Sequence, residues 1–183
     1  GIAWFDGTNW HRVESVDGLA LGECTDLSVS TNGSVWAATA SGILHWVAGQ
    51  WTRMTLPPAI PPPVAIHIDQ DQYLWVGYGN SQQGVHRLSM TNKRGRIDAP
   101  WMEAYATEFA QVSSGKIYFA SMFGLHYADK ATPGVTFAVA DLGSLRSAYT
   151  AMESDSQGGL WLGAQASGLF HFTPEDTVPP ILL

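Results

Sequence analysis

The 183 residues carry nine Lys and Arg against 16 Asp and Glu, one cysteine, 19 glycines and 10 prolines, with eight tryptophans among the aromatic side chains. At 45% hydrophobic and 14% charged the chain is too apolar for disorder, and no apolar run approaches the ~18 residues of a membrane helix. A net charge of -7 disfavours nucleic acid as a partner, because tracking phosphates needs clustered cations, and Cys24 can form no internal disulfide.

Taken in chain order, the elements read as strands. Gly1-Ile2-Ala3-Trp4 and the stretch from Phe5 to Val13 suit the last two strands of a repeat, giving a partial unit over 1–22. Leu27-Ser28-Val29-Ser30 then alternates as a half-buried strand and turns at Asn32-Gly33. It leads into Val35-Trp36-Ala37-Ala38, apolar on consecutive residues and so buried on both faces. Gly42-Ile43-Leu44-His45 and the outer stretch from Trp46 to Met54 complete a four-strand repeat over 23–56. Prolines at 57, 58, 61, 62 and 63 break the linker that follows.

The same order recurs over 63–104, with Ala65-Ile66-His67-Ile68, Leu74-Trp75-Val76-Gly77 and Gly84-Val85-His86-Arg87. It recurs over 105–147, with Ile117-Tyr118-Phe119-Ala120 and Gly124-Leu125-His126-Tyr127, and over 148–173, with Leu160-Trp161-Leu162-Gly163 and Gly168-Leu169-Phe170-His171. Residues 174–183 contain Pro179-Pro180 and predict a linker, with Ile181-Leu182-Leu183 suited to the first strand of a following domain.

The aromatic mark falls at 36, 75, 118 and 161, and each is followed two residues later by Ala or Gly. The glycines that open the third strands are spaced 41, 42, 40 and 44, inside the range of propeller blades. A sandwich would not repeat one aromatic mark at this spacing, and β-helix rungs are shorter. The expected fold is therefore all-β, a β-propeller of four-stranded antiparallel blades over 1–173 with about four repeats, forming an arc of a larger ring. Trp36, Trp75, Tyr118 and Trp161 are expected at equivalent buried positions on the second strand, with the small residue two places on leaving room for a bulky neighbour from the adjacent blade. An arc leaves an apolar face at each end, which predicts self-association of the isolated chain.

These marks (turn, Gly, Leu/Val/Ile, Trp, Val/Leu, Gly/Ala, then Gly-Leu-x-aromatic or His) resemble the two-component regulator propeller repeats, best in Asp155 to Phe172 and Asn32 to Trp51. The resemblance implies a sensor ectodomain of the kind found in bacterial hybrid histidine kinases. It implies a periplasmic or extracellular location, with any membrane contact made through a domain beyond these residues. Its defining residues are packing residues, so it speaks for fold more than for ligand. Streptogramin lyases resemble the chain too, in their repeated apolar core strands with a central Trp, which makes a propeller lyase or hydrolase the alternative; a structural or protein-interaction scaffold is another.

The chemistry-bearing residues are weighed against packing. His45 and His171 lie three residues after their glycine, whereas His86 and His126 lie two after, so alternation sends the pairs to opposite strand faces. No ring of metal ligands is built that way, and no His-x-Glu, His-Glu-x-x-His, Cys-x-x-Cys or Gly-x-Ser-x-Gly spacing occurs. Asp69-Gln70-Asp71 and Asp155-Ser156 lack a full calcium-loop run and read as turn formers. No catalytic residue, metal or cofactor is expected. A His meeting a Glu or Asp at the ring centre is the geometry that favours an enzyme.

Recognition is expected on the loops between second and third strands, which vary while the first hairpins stay short. The candidate ligand-binding residues are Tyr78, Asn80, Ser81, Gln82, Gln83, Met122, Phe123, Gln165 and Ser167. Amides and hydroxyls beside aromatic rings suit a small molecule or an oligosaccharide, with a protein partner as the other possibility.

Overall fold

The computed structural model describes residues 1–54, 61–79, 84–89, 96–97, 106–121, 124–129, 136–139, 148–174 and 181–182. Every element there is a strand, and all pairings are antiparallel. β1 (Ile2–Phe5) pairs with β2 (Trp10–Val13), followed by the short hairpin of β3 (Ser15–Val16) and β4 (Leu19–Ala20). The first four-stranded sheet is β5 (Cys24–Val29), β6 (Val35–Thr39), β7 (Gly42–Val47) and β8 (Gln50–Arg53). The second is β9 (Pro63–Ile68), β10 (Tyr73–Tyr78), β11 (Val85–Ser89) and β12 (Arg96–Ile97). The third is β13 (Glu108–Gln111), β14 (Ile117–Ser121), β15 (Gly124–Asp129) and β16 (Thr136–Val139). The fourth is β17 (Tyr149–Ser154), β18 (Leu160–Ala164), β19 (Gly168–Phe172) and β20 (Ile181–Leu182).

Each sheet is a meander, and the glycine marks have a backbone cause. Gly33, Gly115 and Gly158 close the first hairpins with φ of 82°, 86° and 90°. Gly42, Gly84, Gly124 and Gly168 open the third strands with φ of 115°, 58°, 123° and 87°. Both places need the left-handed region, which glycine enters without a Cβ clash. In the second sheet Gln72 takes the hairpin position at φ 63°, still closing the turn from its amide to the Asp69 carbonyl at 3.0 Å.

Ile181–Leu182, expected within a linker, pair with β19, Phe170 opposite Leu182 and His171 opposite Ile181, and so supply the outer strand of the fourth sheet. The physical reason is an open strand edge: β19 offers unpaired backbone groups, and a β-prone pair after the prolines satisfies them.

Stacking follows from strand alternation. Trp36, Ala38 and Ile43 turn toward the second sheet and meet Ile66, Leu74 and Val76 in one buried cluster. Trp75 and Val85 turn toward the third sheet and meet Phe109, Ile117 and Phe119. Tyr118, Ala120 and Leu125 meet Met152, Leu160, Leu162 and Phe170 of the fourth. Behind the first sheet, Ala37 and Leu44 meet Ile2, Val16 and Leu21. The first strands of successive sheets lie side by side, β5 against β9, β9 against β13 and β13 against β17, so they form the hub of the stack.

Trp36, Trp75, Tyr118 and Trp161 all fall on second strands, opposite His45, Arg87, Tyr127 and His171 on the third. Their burial is not equal. Trp36, Trp75 and Tyr118 are 4%, 0% and 2% exposed, but Trp161 is 36% exposed, which corrects the expectation of four equivalent buried aromatics. The face of the fourth sheet that carries Trp161 has no sheet against it among the described residues.

A second correction concerns the small residues. The space beside Gly77 holds no bulky side chain: an added Cβ would sit 2.6 Å from the carbonyl oxygen and 2.7 Å from the Cβ of Ala106. At Gly163 the neighbour is Ala151 of the same sheet, 3.3 Å away. At Gly77 the small residue serves close approach of the backbone rather than accommodation of a large ring.

The seams between sheets carry a repeated polar device. Pairing slips by one residue near the start of β5, β9 and β17, leaving Thr25, Val64 and Thr150 outside the ladder. The hydroxyl of Thr25 donates to the Ala38 carbonyl at 3.3 Å and to Pro63 of the next sheet at 3.2 Å. Thr107 does the same in the third sheet, to Ala120 at 3.4 Å and to Tyr149 of the fourth sheet at 3.2 Å. In both sheets the threonine hydroxyl lies between a carbonyl of its own sheet and one of the next, and so ties two sheets together.

Candidate functional site

Of the residues expected to bind ligand, Asn80, Ser81, Gln82, Gln83, Met122 and Phe123 lie outside the described residues. Tyr78 is a core residue. It ends β10 with its side chain on the face of Leu74 and Val76, fully buried against the first sheet and edge-on to His86 at 4.9 Å. Alternation along one strand forces that placement, so Tyr78 is not available as an exposed stacking ring. Burial also pushes its phenol pKa upward. Gln165 and Ser167 lie exposed in the turn between β18 and β19, where the Gln165 amide donates to the Ala148 carbonyl at 3.0 Å.

A different set of residues converges at the hub. A cavity of about 200 Å³ is lined by Asp26 and Ser28 of β5, His67 of β9, Glu108 and Gln111 of β13, and Glu153 of β17, so all four sheets contribute. Ser28, His67, Ala110 and Glu153 occupy one register level, each opposite its repeat aromatic; Asp26, Ala65, Glu108 and Ala151 occupy the level two residues before. Carboxylates alternate with alanine at that second level. Asp26 accepts the Ile66 amide across the seam at 2.8 Å, and Ser28 accepts the Ile68 amide at 3.0 Å, so both side chains are held in place by the neighbouring sheet.

The electrostatics of the hub follow from this crowding. Burial, then the nearby charges of Asp26 and Glu153, push the Glu108 carboxyl up to about 7. Burial also raises Asp26, partly offset by the amides of Ile66 and Leu27. A carboxyl whose pKa is higher when folded binds its proton more tightly in the native state, so stability is lost as pH rises from the ordinary value of 4.5 through about 7. Glu108→Gln is expected to be more stable than the parent at pH 8 by about 1 kcal/mol, after allowance for solvent screening, and about equal at pH 4. Urea denaturation of both proteins at the two pH values checks it. His126, held down to about 4 by burial, titrates in both proteins and cancels from the comparison.

The histidines otherwise serve packing. His45 stacks on Trp36 at 3.9 Å and His126 on Phe119 at 5.1 Å, on opposite strand faces as the spacing predicts. Asp155 receives the amides of Gln157 and Gly159 at 2.8 Å each and contacts His171 Nε2 at 2.8 Å, beside Trp161. Asp69 receives the amides of Asp71 and Tyr73 and the indole N–H of Trp75, at 2.8, 2.9 and 2.8 Å. Both aspartates are turn formers that also anchor a side chain of the neighbouring strands, Trp75 in the core and the half-buried His171.

No protein-family model matches the chain, and no curated protein matches it in sequence. Solved structures do match. A catalytically inactive virginiamycin B lyase from Staphylococcus aureus, solved with quinupristin, is 18% identical with a TM-score of 0.70, over 92% of this chain and 58% of the lyase. The extracellular domains of two hybrid two-component systems from B. thetaiotaomicron are 18% and 13% identical with TM-scores of 0.62 and 0.64. Each match covers 82% of this chain, and 20% and 21% of theirs. This chain therefore spans less than two thirds of the length of each of these structures. The class is that of propeller-like, all-β antiparallel folds, and the sensor-ectodomain type expected from the repeat marks is among its structural neighbours.

Proposed function

We propose that this chain is a ligand-recognition module, an arc of a larger propeller in an extracytoplasmic protein, which takes a small polar ligand at its hub without transforming it. The observation that carries this reading is the hub cavity, to which all four sheets bring polar side chains. Likeness in fold to extracellular domains of two-component systems supports both the location and the sensing role. The acidic lining favours ligands that donate hydrogen bonds, such as amines or polyhydroxylated compounds. Asn80, Ser81, Gln82, Gln83, Met122, Phe123, Gln165 and Ser167 belong to this reading as loop contacts to a larger ligand such as an oligosaccharide.

Calorimetric titration with neutral oligosaccharides and small amines tests it. At least one compound binds the parent, and Glu108→Gln with Glu153→Gln weakens it about tenfold or more, the worth of losing charge-assisted hydrogen bonds. An Asn80, Gln82, Phe123 triple alanine variant separates loop from hub contacts. Equal binding by parent and hub variant, or none by either, defeats the hub reading.

One observation favours a second reading. His67 lines the same cavity as Glu108 and Glu153, which is the juxtaposition an acid–base enzyme needs. Incubation with quinupristin, the compound in the lyase structure, followed by mass spectrometry separates the two. A product formed by the parent and lost in His67→Ala favours the lyase; unchanged quinupristin leaves recognition ahead.

A further inference from the structure

The lining of the hub cavity is unbalanced in charge, and the imbalance describes what fits it. Asp26, Glu108 and Glu153 stand there with His67, and among the described residues the lining includes no Lys or Arg. The three carboxyls are not equivalent. Asp26 takes the amides of Leu27 and Ile66 at 2.7 and 2.8 Å, and Glu153 takes that of Ser154 at 3.2 Å. Glu108 accepts no hydrogen bond among the described residues, and only burial and its charged neighbours act on it. A metal ion does not resolve the imbalance, since among the described residues no three His, Cys, Asp or Glu side chains are placed to share one.

The same cavity also offers donors. Ser28 lines it and is only 9% exposed; its hydroxyl accepts the Ile68 amide at 3.0 Å, and its own proton meets no acceptor among the described residues. A backbone amide is the second donor. Val112 gives its amide to Lys116, so by antiparallel alternation Ala110 and Glu108 also pair with β14 and the Phe109 amide turns to the hub. In the second sheet the equivalent amide, that of Ile66, is accepted by Asp26 of the sheet before. For Phe109 the residue standing in the place of Asp26 is Ala65, whose side chain has no acceptor to give.

We propose that the hub takes a protonated amine that carries hydroxyl groups, an aminopolyol or amino sugar small enough for about 200 Å³. The ammonium donates to Glu108 and to the remaining lone pairs of Asp26 and Glu153, supplying the positive charge that the lining lacks. Hydroxyl oxygens accept from Ser28 and from the Phe109 amide, and Ala110, at the level of Ser28 and Glu153, leaves room for the carbon chain. A ligand that bears a carboxylate or a phosphate meets three like charges and is turned away. The proposal rests on the reading of the hub as a recognition site, and it names the chemistry that this site selects.

Calorimetry with three probes separates the parts of the proposal. Glucamine has a primary amine and a chain of hydroxyls, sorbitol has a hydroxyl in place of the amine, and hexylamine keeps the charge without the hydroxyls. Glucamine is expected to bind the parent about tenfold or more tightly than either of the others. From pH 8 to pH 5 its affinity falls about tenfold, because Glu108 takes up a proton as the pH drops through about 7 while an aliphatic amine stays charged. A proton gained by His67 acts in the same direction, so the fall is also measured in Glu108→Gln, where it flattens. A fall of the same size in that variant overturns the role given to Glu108. Ser28→Ala lowers the preference for glucamine over hexylamine, and the comparison of two probes on one variant cancels any general loosening of the fold. Sorbitol or hexylamine bound as tightly as glucamine overturns the proposal and leaves the hub reading standing. No binding by any of the three overturns it as well, and the oligosaccharide titrations then decide the hub reading on their own.

Discussion

Trp75→Ala lowers the unfolding free energy by about 4 kcal/mol, while Trp161→Ala lowers it by only about 1 kcal/mol. The two residues carry the same repeat mark, and the difference lies in what covers them. Trp75 is fully buried between the second and third sheets, and its indole N–H donates to Asp69 at 2.8 Å. Its loss leaves a cavity walled by Phe109, Ile117 and Phe119, which lie on two paired strands of the third sheet and cannot close in freely. Trp161 is 36% exposed and rests mainly against His171 at 4.7 Å. Urea denaturation with matched slopes measures both, and equal losses would mean that the outer face of the fourth sheet is covered in solution.

Gly77→Ala is expected to cost about 2 to 3 kcal/mol, the range of a small residue forced into a packed seam. The added Cβ would meet backbone 2.6 Å away, which no side-chain rotation relieves. Gly163→Ala, at the same repeat position, meets Ala151 at 3.3 Å and is expected to stay within about 1 kcal/mol of the parent. Thermal unfolding of the two variants side by side checks the pair. A Gly77 variant as stable as the Gly163 variant would mean that the link through Ala106 moves freely.

Much of the architecture was legible because packing residues repeat. Trp36, Trp75 and Tyr118 announce strands buried on both faces, and the glycines at 42, 84, 124 and 168 announce a left-handed turn. A threonine position repeats as well: Thr25, Thr107 and Thr150 each lie 11 residues before their aromatic, with Val64 in the second copy. The hub was the hard part. Asp26 and Glu108 alternate with Ala65 and Ala151 at equivalent positions, so a comparison that searches for sameness passes over them. In a repeat scaffold the side chains that differ between copies are the ones a search for sameness discards, and only the three-dimensional hub brings them together. Tyr78 was misread for a local reason, since the glycine after it suggests a loop while alternation with Leu74 and Val76 turns it inward. Burial of Trp161 needed a neighbouring sheet, and one strand's pattern does not report its neighbour.

The threonine ties have a consequence for symmetry. Thr25 and Thr107 reach forward to a carbonyl of the next sheet, and the aromatic marks also point forward, so these two seams have a donor side and an acceptor side that are chemically unlike. Two copies cannot satisfy such a surface by a two-fold axis, because like would then face like. A contact between copies through such faces is heterologous wherever it forms. Such contacts either close into a ring when the rotation per copy divides a full turn, or continue as a filament when it does not. The direction in which one hydroxyl reaches thus limits the symmetry open to copies that stack through faces of this kind.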